Sequence, residues 1–197
     1  MTESPLLEMQ LRSMHLPTVL ANYRRLLSEH TEPLPYLADL VSLEATKRQE
    51  NGIRARITAA HFPTIKTIEA FDFTLQGELP KAKLLEHFDG GFVEAHRNVI
   101  FSGPPGVGKS HVLSALGLAM CMRGYRVLFI TAAGLLMKLI AAKKSDALER
   151  HYRNLDRIDL LLIDELGYVP FEHEATDLLF RLISQRYERR SIDQSAV

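Results

Sequence analysis

From Asn98 to Leu116 the chain reads Asn-Val-Ile-Phe-Ser-Gly-Pro-Pro-Gly-Val-Gly-Lys-Ser-His-Val-Leu-Ser-Ala-Leu. Val99 to Phe101 is a short apolar, β-branched and aromatic run, which predicts a buried strand. Val112, Leu113, Ala115 and Leu116 follow at helical spacing. Between the two, Gly103 to Ser110 fits the pattern G-x-x-x-x-G-K-[ST], a phosphate-binding loop. Glycines at 103, 106 and 108 let the backbone turn with its N–H groups aimed inward at an anion. The helix that starts at the end of the loop adds its positive dipole end to the same place. In such a loop Lys109 reaches the outer phosphates and the Ser110 hydroxyl takes a Mg²⁺ ligand position.

A second stretch, Ile158-Asp-Leu-Leu-Leu-Ile-Asp-Glu165, ends a run of large aliphatics in two carboxylates. This predicts a strand buried on both faces whose carboxyl end opens on a polar site. Asp164 is then placed to hold Mg²⁺ through water, and Glu165 to polarise an attacking water as general base. An ordinary buried strand ending in an acidic turn is the plain alternative. With the loop upstream, the two stretches together predict an ATP site.

The 197 residues are 46% hydrophobic, enough for one medium domain and a small one. Twenty-four basic residues balance twenty-four acidic ones. There is no overall basic field, so any nucleic-acid contact has to be a local patch. The single cysteine, Cys121, cannot form an internal disulfide and reads as a small core residue. No run is long and apolar enough for a membrane span, and the start of the chain lacks a secretory pattern. A cytoplasmic location is the default expectation. The eight histidines show no paired spacing, which argues against a metal beyond Mg²⁺.

Residues 1–62 read as an all-helical module. Ser4-Pro5 opens one helix, Pro17 a second, and a third runs from near Tyr36 toward Ala60 after the break at Pro33-Leu-Pro35. Asn51-Gly52 is read as a break or weak point inside the third. Residues 63–97 form an extended connector and a short helix from Lys81. Residues 98–197 alternate strand and helix, the mark of crossovers onto a parallel sheet. Lys47, Arg48, Arg54 and Arg56 make a local basic cluster. Two readings stay open for it: a solvated face paired with Glu44 and Glu50, or salt-dependent contact with the DNA backbone.

With these motifs placed, the chain resembles the IstB-like ATPases, helpers of bacterial insertion-sequence transposases. These are similar to the DnaC helicase loaders and the DnaA initiators, all AAA+ P-loop ATPases. The resemblance rests on Gly103 to His111, on Leu160-Leu-Leu-Ile-Asp-Glu-Leu-Gly167, on Phe71-Asp-Phe73, and on Ser184-Gln-Arg-Tyr-Glu-Arg-Arg-Ser191. It implies ATP and Mg²⁺ as ligands, homo-oligomeric assembly on DNA without sequence preference, and regulation of a cognate transposase. Gly103, Pro104, Pro105, Gly106, Val107, Gly108, Lys109, Ser110 and the adjoining His111 would hold the nucleotide. Lys109 and Glu165 would support hydrolysis. A helicase loader of the DnaC kind shares every motif used, and an inactive remnant that only binds is a further alternative.

The resemblance also sets an expectation for the end of the chain. In that family an apolar sensor strand follows residue 192 and lies between the loop strand and the Asp164 strand, and an arginine finger comes later. Asp193 to Val197 holds few apolar residues, so the sheet is expected to be incomplete and turnover by this chain negligible. Arg186, Arg189 and Arg190 on the last helix are expected to be solvated or to face DNA rather than to replace the finger.

Overall fold

The computed structural model describes residues 5–75, 81–168, 173–187 and 190–196. The chain divides into two compact units, Met1–Arg54 and Ala55–Val197, with the division inside one long helix.

The first unit holds helices α1 (Pro5–Ser13), α2 (Pro17–Glu29) and most of α3 (Pro33–Ala60). Ser4 lies outside the described residues. Leu11, Val19, Leu26 and Leu40 form its core, with Leu16, Leu20 and Tyr23 against them. Two expectations are corrected. Helix α3 starts at Pro33 rather than near Tyr36, because prolines in a first turn lack only N–H groups that have no intrahelical partner. It also runs unbroken through Asn51-Gly52. One interior glycine costs about 1 kcal/mol, too little to end a helix of this length. Glu44 of α3 fixes the start of α2: its Oε2 accepts from the Thr18 and Val19 N–H groups at 3.2 and 3.3 Å.

In the second unit, α4 (Lys81–Glu86) and α5 (Gly91–Glu94) precede β1 (Val99–Ser102). Then come α6 (Lys109–Arg123), β2 (Val127–Thr131), α7 (Ala132–Lys144), α8 (Leu148–Asp156) and β3 (Leu160–Asp164). Helix α9 (His173–Arg186) and β4 (Ser191–Ala196) complete the order. The four strands are parallel in the order β1-β4-β3-β2. β3 is buried throughout, and its side chains alternate between two cores. Leu160 and Leu162 pack with Leu113, Leu116 and Met120 of α6. Leu161 and Ile163 pack with Leu135 and Leu139 of α7 and Leu178 and Leu182 of α9. Gly117 lets α6 come close: a Cβ there would sit 2.5 Å from Leu162 Cδ1 and 2.7 Å from Phe62 Cε1.

The tail differs most from expectation. Ser191–Ala196 forms β4, in the position assigned to the missing strand, paired with β1 on one side and β3 on the other. The physical reason is that a ladder is made by the backbone. Without β4, two facing edges would leave buried N–H and C=O groups unpaired, and polar residues such as Asp193 and Gln194 carry the same amide groups as valine. The start of the strand is anchored. Ser191 and Ile192 are buried, Asn98 Oδ1 accepts from the Ile192 N–H at 2.8 Å, and the Ser191 hydroxyl donates to Phe92 O at 3.2 Å.

Arg186 is also corrected. It is 1% exposed, and its guanidinium donates to Leu155 O (2.6 Å), Ile158 O (3.0 Å) and Ser191 O (3.0 Å). These carbonyls lie at the amino edge of the sheet, where α8 ends and β4 begins. The 103–108 loop leaves the opposite edge, so Arg186 is not a cis arginine for that loop, nor is it solvated. Arg190 donates to Asp156 O and pairs with Asp159 at the same edge. Arg189 lies outside the described residues. Among the described residues, no helix is long and apolar enough to cross a membrane.

Candidate active site

Three strand ends define the carboxyl edge of the sheet: Ser102 of β1, Thr131 of β2 and Asp164 of β3. The loop 103–108 leaves β1 and delivers the chain into α6 at Lys109. Gly106 and Gly108 have φ of 82° and 85°, left-handed values that disfavour any side chain. At Gly108 there is a second reason. A Cβ there would lie 2.6 Å from Phe71 Cε2, so the ring of the connector occupies the space a side chain would need. The Gly108 carbonyl accepts from Val112 N at 3.0 Å and opens the helix. The first-turn amides of Lys109, Ser110 and His111 therefore have no intrahelical acceptor and form the positive end of the α6 dipole.

Lys109 bends back over the loop. Its ammonium donates to Gly103 O at 2.6 Å and to Pro104 O at 2.9 Å. Pro104 and Pro105 are exposed and lack N–H groups, so they stiffen the turn without adding donors. Val107 is half-buried and Ser110 is exposed in the first helical turn. His111 turns toward the connector: its Nε2 lies 2.9 Å from Thr67 O, and its ring meets Phe71 edge-on at 5.2 Å.

Asp164 is 7% exposed, and its Oδ1 accepts from the Glu165 N–H at 3.0 Å, which orients the carboxylate. Asp164 is in register with Thr131, whose hydroxyl caps α7 by accepting from Gly134 N at 3.2 Å. Glu165 is exposed and has φ of 61°. A left-handed non-glycine residue at such a place is a strained turn held by its surroundings. Because β4 separates β1 from β3, the loop and Asp164 stand two strand spacings apart, about 10 Å. That gap suits a metal–phosphate group held from both sides. Among the described residues no cluster of three or more His, Cys, Asp or Glu could hold a metal alone. A hydroxyl, one carboxylate and the phosphates themselves are the donor set that Mg²⁺ accepts.

The four cations of α3 do not form one free patch. Lys47 pairs with Glu50 at 3.0 Å, and Arg48 pairs with Glu44 at 2.8 Å and donates to His15 O. Arg54 closes the first unit, and Arg56, in the second, donates to Cys121 O at 2.9 Å. The Arg48 guanidinium and the Val19 and Thr18 donors hold the Glu44 carboxyl below its ordinary range. Burial pushes the Cys121 thiol up to about 11, so it stays protonated and inert.

Sequence reasoning assigned no role to Thr131, used Phe71 only as part of the resemblance, and placed Arg186 in solvent or against DNA. Phe71 carried a signal, as one of the large apolar residues of the connector with Ile65, Ile68 and Phe73. Thr131 carried another, a capping hydroxyl directly before a helix.

A parallel sheet with a glycine loop and lysine after its first strand, and an acidic pair at the end of its third, is a P-loop NTPase fold. A solved structure with this fold, DnaA from Aquifex aeolicus bound to AMPPCP, matches 68% of this chain and 43% of its own at a TM-score of 0.58 and 22% identity. The chain belongs to the family described as IstB-like ATP binding protein, which matches residues 7–194. An insertion sequence IS21 protein from Pseudomonas aeruginosa, named for ATP binding, is 37% identical over 186 residues, 94% of this chain and 69% of its own. A similarly named insertion-sequence protein from Sinorhizobium fredii is 39% identical over 158 residues, 80% of this chain. This chain spans 53% of that relative's length.

Proposed function

We propose that the chain binds ATP with Mg²⁺ in the 103–110 loop, hydrolyses it to ADP and phosphate, and serves as the ATP-dependent helper of an insertion-sequence transposase on DNA. The observation that carries this reading is the placement of Lys109. Its ammonium sits over a loop whose last glycine is left-handed, at the open end of a helix dipole. An arriving phosphate exchanges two neutral carbonyl acceptors for charged oxygens, a stronger partner for an ammonium. The first-turn amides of α6 take further phosphate oxygens. Ser110 and Asp164 are the residues that would hold Mg²⁺, which supplies charge neutralisation on the phosphate oxygens when bound. Glu165, set beside Asp164 by its strained turn, orients water and accepts its proton as the bond to the terminal phosphorus forms.

For DNA, the exposed cations Arg150, Arg153 and Arg157 favour a face of the second unit. They recur along α8 and just past its end at helical spacing, and they have no acidic partner among the described residues. Lys47 and Arg48, in contrast, are already neutralised by Glu50 and Glu44. The test of the nucleotide reading is MgATP binding and phosphate release measured on one preparation of the wild type, Lys109→Ala and Glu165→Gln. Wild-type protein that binds no MgATP ends the reading.

A further inference from the structure

We propose that Phe71 is a positioning residue for nucleotide: it holds the phosphate loop in its binding shape, so the connector and the loop order together. The proposal rests on the nucleotide reading above and extends it to a segment outside the loop. Thr64 to Thr67, Glu69 and Ala70 are exposed, yet Phe71 is only 8% exposed. A short turn delivers it, with Phe71 N donating to Ile68 O at 3.1 Å. The chain beyond is fixed by Asp72, whose Oδ1 accepts from Thr74 N at 2.9 Å.

The ring then meets the parts of the site that must not move. One edge lies against Gly108, the left-handed residue that ends the loop. Another meets His111 in the first turn of α6, while His111 Nε2 is tied to Thr67 O at the other end of the same connector segment. Phe73 packs edge-on at 4.9 Å, and Leu84 and Val112 close the cluster. A loop with three glycines has many accessible conformations, and ordering it on binding is unfavourable. A rigid ring against its last glycine removes part of that freedom beforehand, so the effect appears as affinity. Linkage makes the relation reciprocal: bound nucleotide should order residues 67–73.

The experiment compares MgATP affinity in wild type, Phe71→Ala, Phe71→Leu, Leu84→Ala and Lys109→Ala. Leu84 belongs to the same cluster and is as deeply buried, so its truncation controls for lost packing. Phe71→Ala is expected to bind about tenfold more weakly, as lost preorganisation predicts. Phe71→Leu should recover most of the affinity, and Leu84→Ala should bind like wild type. Amide exchange across residues 67–73 in wild type should slow when MgATP is added. Equal affinity in Phe71→Ala and wild type, equal losses in Phe71→Ala and Leu84→Ala, or exchange that ignores MgATP would each overturn the proposal. If wild type binds and Lys109→Ala does not, such a result removes only the role of Phe71. If wild type itself fails to bind, the nucleotide reading falls and the proposal falls with it.

Discussion

Replacing Arg186 by Met keeps most of the side-chain stem and removes the guanidinium. The carbonyls of Leu155, Ile158 and Ser191 then lose a charged donor, although Leu155 O keeps the Ile158 N–H at 3.0 Å. At about 2 kcal/mol each, within the range for a hydrogen bond to a charged group, the loss is about 6 kcal/mol. The charge itself opposes folding. Burial pulls the Arg186 pKa from 12.5 down to about 10, and its Nε lacks a partner, so removing the charge returns roughly 3 kcal/mol. The net expectation is destabilisation of the second unit by about 3 kcal/mol, or about 10 °C in its melting point. The chain has no tryptophan, so the melt is followed by circular dichroism and tyrosine fluorescence. Arg186→Lys should fall between the two, since one ammonium cannot reach three carbonyls in a fork. A melt of Arg186→Met within about 0.5 kcal/mol of wild type would refute the reasoning, because surface substitutions already reach that size. MgATP affinity per folded molecule should not change. A large affinity loss without a stability loss would return Arg186 to the phosphate site.

Lys109→Ala should weaken MgATP binding at least tenfold, since a charge-assisted contact is worth about 1.5–3 kcal/mol; calorimetric titration measures it. Glu165→Gln should keep MgATP binding while turnover drops by about 10²–10⁴, because the amide orients water but cannot accept its proton. Glu44→Gln should destabilise the first unit by about 1–2 kcal/mol at neutral pH, the size of a lost helix cap. The folded pKa of Glu44 lies below 4.5, so its contribution is full above that value and disappears as pH falls through the folded pKa. Acid titrations of wild type and Glu44→Gln should therefore converge at low pH. Neutralising Arg150 and Arg153 should flatten the salt dependence of DNA binding by about 1.8 in log–log slope. The same change from Lys47 and Arg48 instead would place the interface on α3.

What the sequence made legible is what side chains encode by pattern. The Leu160–Ile163 run could only be a strand covered on both faces, and it divides its residues between two cores as that pattern requires. The glycine spacing of 103–108 implied a backbone turn into a helix, and the left-handed Gly106 and Gly108 provide it. What stayed hidden depends on what the backbone needs from distant residues. Ser191 to Ala196 has no strand pattern beyond Ile192, yet two strand edges fix it, because unpaired amides are more costly than polar side chains. The same need explains Arg186. A parallel sheet gathers helix C-termini and strand starts at one edge, and their carbonyls have no partner within their own elements. A guanidinium, with donors in a planar fork, can satisfy three of them at once. From sequence, Arg186 and Arg190 belong to one charged run on one helix. Only the return of β4 beside Leu155 and Ile158 separates them, by turning Arg186 inward and leaving Arg190 half-exposed beside Asp159. The arginine read as surface charge is thus among the most buried side chains in the unit, and β4 is the strand it holds.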